Sequence, residues 1–298
     1  MDKKFLYTVL VPLTLLLWGT EYTLVGTIDV ELIPEAWQVV IRMVFAAIFM
    51  AIFVIAKGGK LPPFKDKSWL WYGLMGFIGM TIPFYFIAKG FNDNLDSGLI
   101  SILIGITPLF TILLAHLFVK TEPLTPIKLL GFIIGFIGVI YLFVPEKPGQ
   151  LLSENWQAQA LIILAAFGYA ATSILGKRAP DQPASVGATL MLIGGAISAL
   201  IGAFLIAGSD IPTTFPPVKT AAALVALTLG ATFLGNLLYL RLLQISGPSL
   251  VAKINYIVPV IALVSGRIFL EEEFKDKYFI ALAIILIGLV IARRGETP

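Results

Sequence analysis

Of 298 residues, 58% are hydrophobic and only 13% are charged, and the formal net charge is +3. Soluble domains carry about a quarter charged residues, so this composition excludes a water-soluble protein, and the small positive charge reads as loop lysines placed by membrane insertion, not as a nucleic-acid surface. With no cysteine and a single histidine, His116, disulfides, thiol nucleophiles and Cys- or His-based metal chemistry are excluded; no cofactor, no metal and no catalytic residue is expected.

All predicted elements are membrane helices. A span needs ~20 apolar residues. Hydropathy punctuated by Gly, Pro and charge predicts ten of them, at 6–27, 34–56, 68–90, 97–119, 125–144, 156–177, 184–207, 219–244, 248–270 and 275–292. The N-terminal MDKKFLYTVLVPLTLLL resembles a signal peptide but has no small-residue cleavage site behind it, so it is expected to stay as the first span. The connections are too short for a separate soluble domain. Small residues recur at helical spacing, as Gly73, Gly76 and Gly79 in the third span, Gly131, Gly135 and Gly138 in the fifth, and Gly195 with Ala199 in the seventh. They predict close helix contacts in lipid. Pro83, Pro108 and Pro259 interrupt helical hydrogen bonds and permit bending.

A repeat emerges when the halves are overlaid. SGLISILIGITPLFTILLAHLFVKTE (97–122) lies against PSLVAKINYIVPVIALVSGRIFLEEE (248–273), matching Pro108 with Pro259, Leu99 with Leu250, Phe118 with Phe269 and Glu122 with Glu273. Small gaps then align IGVI (137–140) with IGLV (287–290) and Tyr85 with Tyr239. The reading is two units, 1–148 and 149–298, of five spans each. An odd number puts the second copy in the opposite orientation, the inverted-repeat plan of secondary transporters. Placing the N-terminus in the cytoplasm gives that side thirteen Lys and Arg against six, with Arg42 and Lys253 inside the membrane. Both termini are therefore expected to be cytoplasmic.

Ionisable residues within spans are functional hypotheses by default, because lipid exposure costs about 2.5–3.5 kcal/mol on insertion scales. Three occur, Glu21, Arg42 and Lys253. Lys253 sits about 7–8 Å into the ninth span at 1.5 Å per residue. It snorkels to the interface, forms a structural ion pair, or lines a cavity beside Tyr256, which shares its helix face. Glu21, protonated or kept ionised by Arg42 or Lys253, is open to three roles: a proton site, an anchor for a substrate ammonium, or a brace paired with Arg42. Arg42 alone reads as a structural clamp, since its charge cannot be switched. Trp18, Tyr22, Tyr85, Tyr169 with Thr172 and Ser173, Asn236, Tyr239 and Tyr256 recur in spans 1, 3, 6, 8 and 9. Buried tyrosines need hydroxyl partners, and each of these residues is open to core packing or to a shared cavity wall. His116 and Arg267 match across the repeat near helix C-termini and read as structural.

With WGTEYTLVG (18–26), the arginine of VVIRMVFAA (39–47), and P-L-F and P-V-I each followed by an acidic residue, Glu122 and Glu273, the chain resembles the drug/metabolite transporter superfamily, EamA type, and within it the amino-acid exporters. The resemblance implies an all-α membrane fold of ten helices in two inverted repeats around a central cavity lined by spans 1, 3, 4, 6, 8 and 9. It also implies alternating access and small-metabolite substrates, commonly amino acids leaving the cell. The second half departs from the pattern, reading FGYAATSILGKR (167–178) without a Trp-Gly, and Ile102 stands where Lys253 stands in the repeat. The site is thus expected to be asymmetric.

The resulting expectation is a secondary exporter of amino acids with apolar or aromatic side chains, in the cell membrane, monomeric, with no nucleic-acid partner. Its substrate-binding residues would be Trp18, Glu21, Tyr22, Tyr85, Tyr169, Asn236, Tyr239, Lys253 and Tyr256. Glu21 and Lys253 would complement the two charges of a zwitterion. The alternative is a proton-coupled exporter of lipophilic cations through Glu21. No paired catalytic aspartates, intramembrane Ser/His pair or HExxH motif points to an enzyme.

Overall fold

A computed structural model describes residues 6–119, 123–145, 152–208 and 211–295; for residues 6, 7, 243, 244, 246–253 and 256 it describes the backbone only. Glu122, the expected boundary at 148/149, and the side chains of Lys253 and Tyr256 therefore lie outside the described residues. Among the described residues every regular element is helical, because a backbone in hydrocarbon must satisfy its own hydrogen bonds. A π-helical turn, Leu6–Leu10, leads into α1 (Val11–Gly26). Then come α2 (Glu35–Ala56), α3 (Lys67–Gly76), a π segment at Phe77–Thr81, α4 (Ile82–Asn92), α5 (Ser97–Ile104), α6 (Thr107–Phe118) and α7 (Pro126–Phe143). The second half continues with α8 (Trp156–Gly176), α9 (Ala184–Ile206), α10 (Val218–Val225), a longer π segment at Ala226–Leu234, α11 (Gly235–Phe269) and α12 (Asp276–Arg294). Eight helical stretches are long and apolar enough to cross a membrane, and Ile257–Phe269 is a shorter apolar helix.

Helix ends follow local chemistry. The Asp66 carboxylate accepts the Ser68 N–H at 2.8 Å and starts α3. The Thr125 hydroxyl accepts from Lys128 N at 3.3 Å, just ahead of Pro126 at the start of α7. Gly58 (φ 73°) and Gly208 (φ 59°) turn the chain after α2 and α9 in the left-handed region, where a Cβ is penalised. They stand at matching places in the two halves.

Two predicted spans differ from the structure. The fourth is interrupted at Gly105 and Ile106, between α5 and α6. Pro108 has no N–H for the Ile104 carbonyl, and the Thr107 hydroxyl donates to that carbonyl instead, at 2.7 Å. The second difference lies at 244–248, where the sequence predicts a break between spans; the helical backbone of α11 continues through Ser246, Gly247 and Pro248. It cannot be straight. Trp18 packs on Gly235 and Tyr239, while its neighbour Gly19 packs on Ile261. Gly235 and Ile261 would stand about 39 Å apart on a straight helix at 1.5 Å per residue, far beyond the reach of two adjacent residues. The run therefore bends back on itself between these contacts, so the reversal expected from the sequence is made inside a helical run.

The main helix contacts join the first half to the second: α1 with α11, α2 with α9, α3 with α9, α4 and α6 with α8, and α7 with α12. Small residues make them possible. A Cβ on Gly76 would fall 2.0 Å from the Met191 carbonyl oxygen, and one on Gly131 2.3 Å from the Ala292 nitrogen. The core sits where both halves meet, with Met43, Met50, Ile100, Ile102, Leu103, Ile162 and Leu190 fully buried. Apolar side chains such as Ile133, Ile137 and Ile140 of α7 point outward, as lipid contact permits.

Candidate functional site

The stretch WGTEYTLV places Trp18, Glu21, Tyr22 and Val25 at helical spacing on one face of α1. That face turns inward: Glu21 is 8% exposed and Tyr22 6%. Opposite, Arg42 of α2 is 3% exposed. Its Nη2 donates to Glu21 Oε1 in a buried ion pair. Its Nε donates to Thr232 Oγ1 at 2.6 Å, and its guanidinium carbon lies 3.7 Å from the centroid of the Phe84 ring, a cation–π geometry. The brace left open by the sequence is thus formed, and Arg42 takes partners from α1, α4 and the π segment.

Thr232 is available because of that segment. It lies within Ala226–Leu234, and Asn236 Nδ2 donates to the Thr232 carbonyl at 2.6 Å. A π segment frequently marks a functional site. Here it places a buried hydroxyl against the guanidinium.

Aromatic residues stand beside the pair and one helical turn from it. Trp18 and Tyr239 pack at 5.8 Å between ring centroids and 47° between planes. Tyr239 is within hydrogen-bonding reach of Ser173, and Ser173 in turn donates to the Tyr169 carbonyl at 3.2 Å. Tyr22 and Tyr169 each lie close enough to interact with the charges of both Glu21 and Arg42. Beside Arg42 is a cavity of about 10 Å³, lined also by Val25, Gln38, Val39, Phe84 and Leu227, with room for about one water.

Six of the nine predicted site residues therefore converge: Trp18, Glu21, Tyr22, Tyr169, Asn236 and Tyr239. Tyr85 does not join them. Its charged neighbours are Glu35 at the start of α2 and Lys89 and Asp93 at the C-terminal end of α4, although its repeat partner Tyr239 is in the cluster. The side chains of Lys253 and Tyr256 lie outside the described residues. Sequence reasoning missed Thr232 and Phe84 as partners of Arg42. The available signal was physical: a guanidinium carries five donors, so a buried one needs more than a single carboxylate.

A second polar group joins the halves at the N-terminus of α5. Glu272 accepts from Ser97 N at 2.8 Å and from the Ser97 hydroxyl, while Asp96 accepts from Lys275 Nζ at 3.0 Å and from the Tyr278 hydroxyl. Burial pushes the Glu272 carboxyl above its ordinary value of 4.5, against the lowering effect of the Ser97 hydrogen bonds.

Residues 6–144 and again 156–294 match the EamA-like transporter family. Over 283 residues the chain is 27% identical to the inner membrane transporter YedA of Escherichia coli, covering 94% of this chain and 88% of that protein. Over 286 residues it is 25% identical to a Salmonella typhimurium protein named "Probable amino-acid metabolite efflux pump", covering 94% and 92%. A crystal structure of a 19% identical protein superimposes with a TM-score of 0.67, covering 97% of this chain and 98% of that one, a likeness of fold alone. These relatives are named as transporters and efflux pumps, not enzymes. Matched over nearly its whole length, the chain belongs to the EamA-like transporter family and is a multi-pass membrane transporter.

Proposed function

We propose that the chain exports amino acids with apolar or aromatic side chains by alternating access around the Glu21–Arg42 cluster. The observation that carries this is the buried ion pair flanked by Tyr22 and Tyr169, with the packed Trp18 and Tyr239 rings one helical turn away along α1. Charges of both signs complement a zwitterion, and aromatic walls suit its side chain. The name of the efflux-pump relative points the same way. The rival, proton exchange for lipophilic cations through Glu21, calls for a carboxylate free to hold proton or drug. Glu21 is instead engaged by an always-charged partner.

The same reading includes ten crossings in two inverted units, 1–148 and 149–298, with cytoplasmic termini and a monomeric chain. The bend within α11 supports the count, since it divides that run into two arms. The pairing of helices supports the inversion. Contact of α1 with α11 is mirrored by that of α6 with α8, and contact of α2 with the second π segment by that of α9 with α3. A two-fold relation between the halves exchanges the members of each such pair.

Export is tested in cells lacking their own aromatic amino-acid exporters and loaded with a phenylalanine dipeptide. Expression of the chain is expected to lower internal phenylalanine and raise it in the medium. Unchanged phenylalanine, with the protein present in the membrane, would sink the proposal.

A further inference from the structure

We infer that the Glu21–Arg42 pair is an exchangeable substrate anchor, opened by a zwitterion whose carboxylate goes to Arg42 and whose ammonium goes to Glu21. This rests on the reading of the chain as an amino-acid carrier and adds how the pair exchanges its own contact for the ligand's, and the role of Arg42.

Both partners of the pair are nearly out of contact with solvent, with side chains 4% and 11% exposed. A ligand with one charge that separates them leaves the other charge buried and uncompensated, which is costly. A zwitterion leaves neither alone, because it offers an anion to Arg42 and a cation to Glu21. The charge state of the site is zero before and after binding. The pair thus acts as a filter for the charge class of the ligand, independently of its side chain.

Arg42 is built to survive the exchange. Of its five N–H groups, one goes to Glu21 and one to Thr232. Among the described residues no acceptor is found for the other three, and the residue lines the cavity beside it. The Thr232 hydroxyl and the Phe84 ring hold the guanidinium from sides that Glu21 does not occupy. Loss of the Glu21 contact therefore leaves its plane fixed. A fixed guanidinium with unspent donors is suited to a carboxylate, and the water-sized space beside it leaves room for one carboxylate oxygen, the rest of the ligand entering as the Glu21 contact opens. Glu21, on the neighbouring helix, is the matching acceptor for an ammonium one carbon away from that carboxylate.

The test measures binding of three ligands with one side chain to the purified full-length protein: phenylalanine, phenethylamine without the carboxylate, and 3-phenylpropionate without the ammonium. Wild type is expected to prefer phenylalanine by about a hundredfold or more over either analogue. Arg42→Gln should shift the preference to phenethylamine and Glu21→Gln to 3-phenylpropionate. The double variant, Glu21→Gln with Arg42→Gln, carries no lone buried charge, so it remains a folded test if a single variant fails to fold. It should lose the discrimination between zwitterion and single-charge ligands. Wild type that binds phenylalanine while the double variant keeps full discrimination would overturn the inference and leave the carrier reading intact. Wild type that binds no amino acid would overturn both.

Discussion

Replacement of Gly288 by alanine perturbs the contact between α7 and α12 at one of its tightest points. A Cβ at Gly288 would lie 2.4 Å from the Gly135 nitrogen, 2.6 Å from its Cα and 2.6 Å from the Gly131 carbonyl oxygen, whereas ordinary contacts begin near 3.4 Å. All three obstacles are backbone, so no rotamer change relieves them. The helices must separate by about 1 Å, a gap that forfeits roughly a quarter to a half of the dispersion energy across it. Overpacking of this kind costs about 1–3 kcal/mol, offset by about 1 kcal/mol of helix propensity gained over glycine. A net loss of up to about 2 kcal/mol is expected, with no compensating hydrophobic term in lipid. Gly202, in α9, is the control, because a Cβ there meets nothing within 4 Å; Gly202→Ala should be neutral or stabilising. Thermal unfolding of both variants in one detergent, followed by the loss of the monodisperse size-exclusion peak, measures the difference. If Gly288→Ala matches wild type while Gly202→Ala behaves as stated, the close α7–α12 contact is not what holds these helices together.

Three further perturbations follow from other contacts. Thr107→Val removes the hydroxyl that satisfies the Ile104 carbonyl and should cost about 1–3 kcal/mol, whereas Thr111→Val, whose hydroxyl only doubles on an in-helix carbonyl, should cost less; equal losses in thermal unfolding would contradict the role given to the break at Gly105. Thr23→Val breaks the 2.6 Å bond between the Thr23 and Ser265 hydroxyls, and a loss near 0.6–1.7 kcal/mol is expected, its lower end favoured because Ser265 retains the Ala262 carbonyl at 3.2 Å. Burial holds the Glu272 proton more tightly in the folded chain than in the unfolded one. The associated stability is complete below the ordinary value of 4.5 and is lost as pH rises through the higher folded value. Glu272→Gln should therefore raise the unfolding temperature at pH 7, with the gain closing as pH falls toward 4.5. A variant less stable than wild type at pH 7 would reverse the sign of this account.

The helical class was legible because continuous apolar runs leave few alternatives in hydrocarbon, and most predicted span edges lie within a few residues of the observed ones. What the sequence could not reveal was how a break is accommodated. Pro108 interrupts a helix and Pro259 does not, a difference made by neighbours such as Thr107 that hydropathy does not register. At 244–248 the punctuation Ser-Gly-Pro predicted the reversal but not that it would remain helical. The polar cluster was half visible. Glu21 and Arg42 stood out as charges in apolar runs, but pairing depends on where the whole fold sets α1 relative to α2, and Thr232 is an ordinary residue until the π segment places it against the guanidinium. Tyr85 and Tyr239 match in the repeat yet face different surroundings. Sequence symmetry between halves therefore did not carry over to the chemistry of the site.

The most direct measurement is counterflow in proteoliposomes. Purified protein is reconstituted with a high internal concentration of unlabelled phenylalanine, labelled phenylalanine is placed outside, and no ion gradient is applied. The account predicts accumulation of label above that of empty liposomes, and its loss when Glu21 and Arg42 are both replaced by glutamine. Absence of accumulation with folded wild-type protein would contradict amino-acid transport through this site.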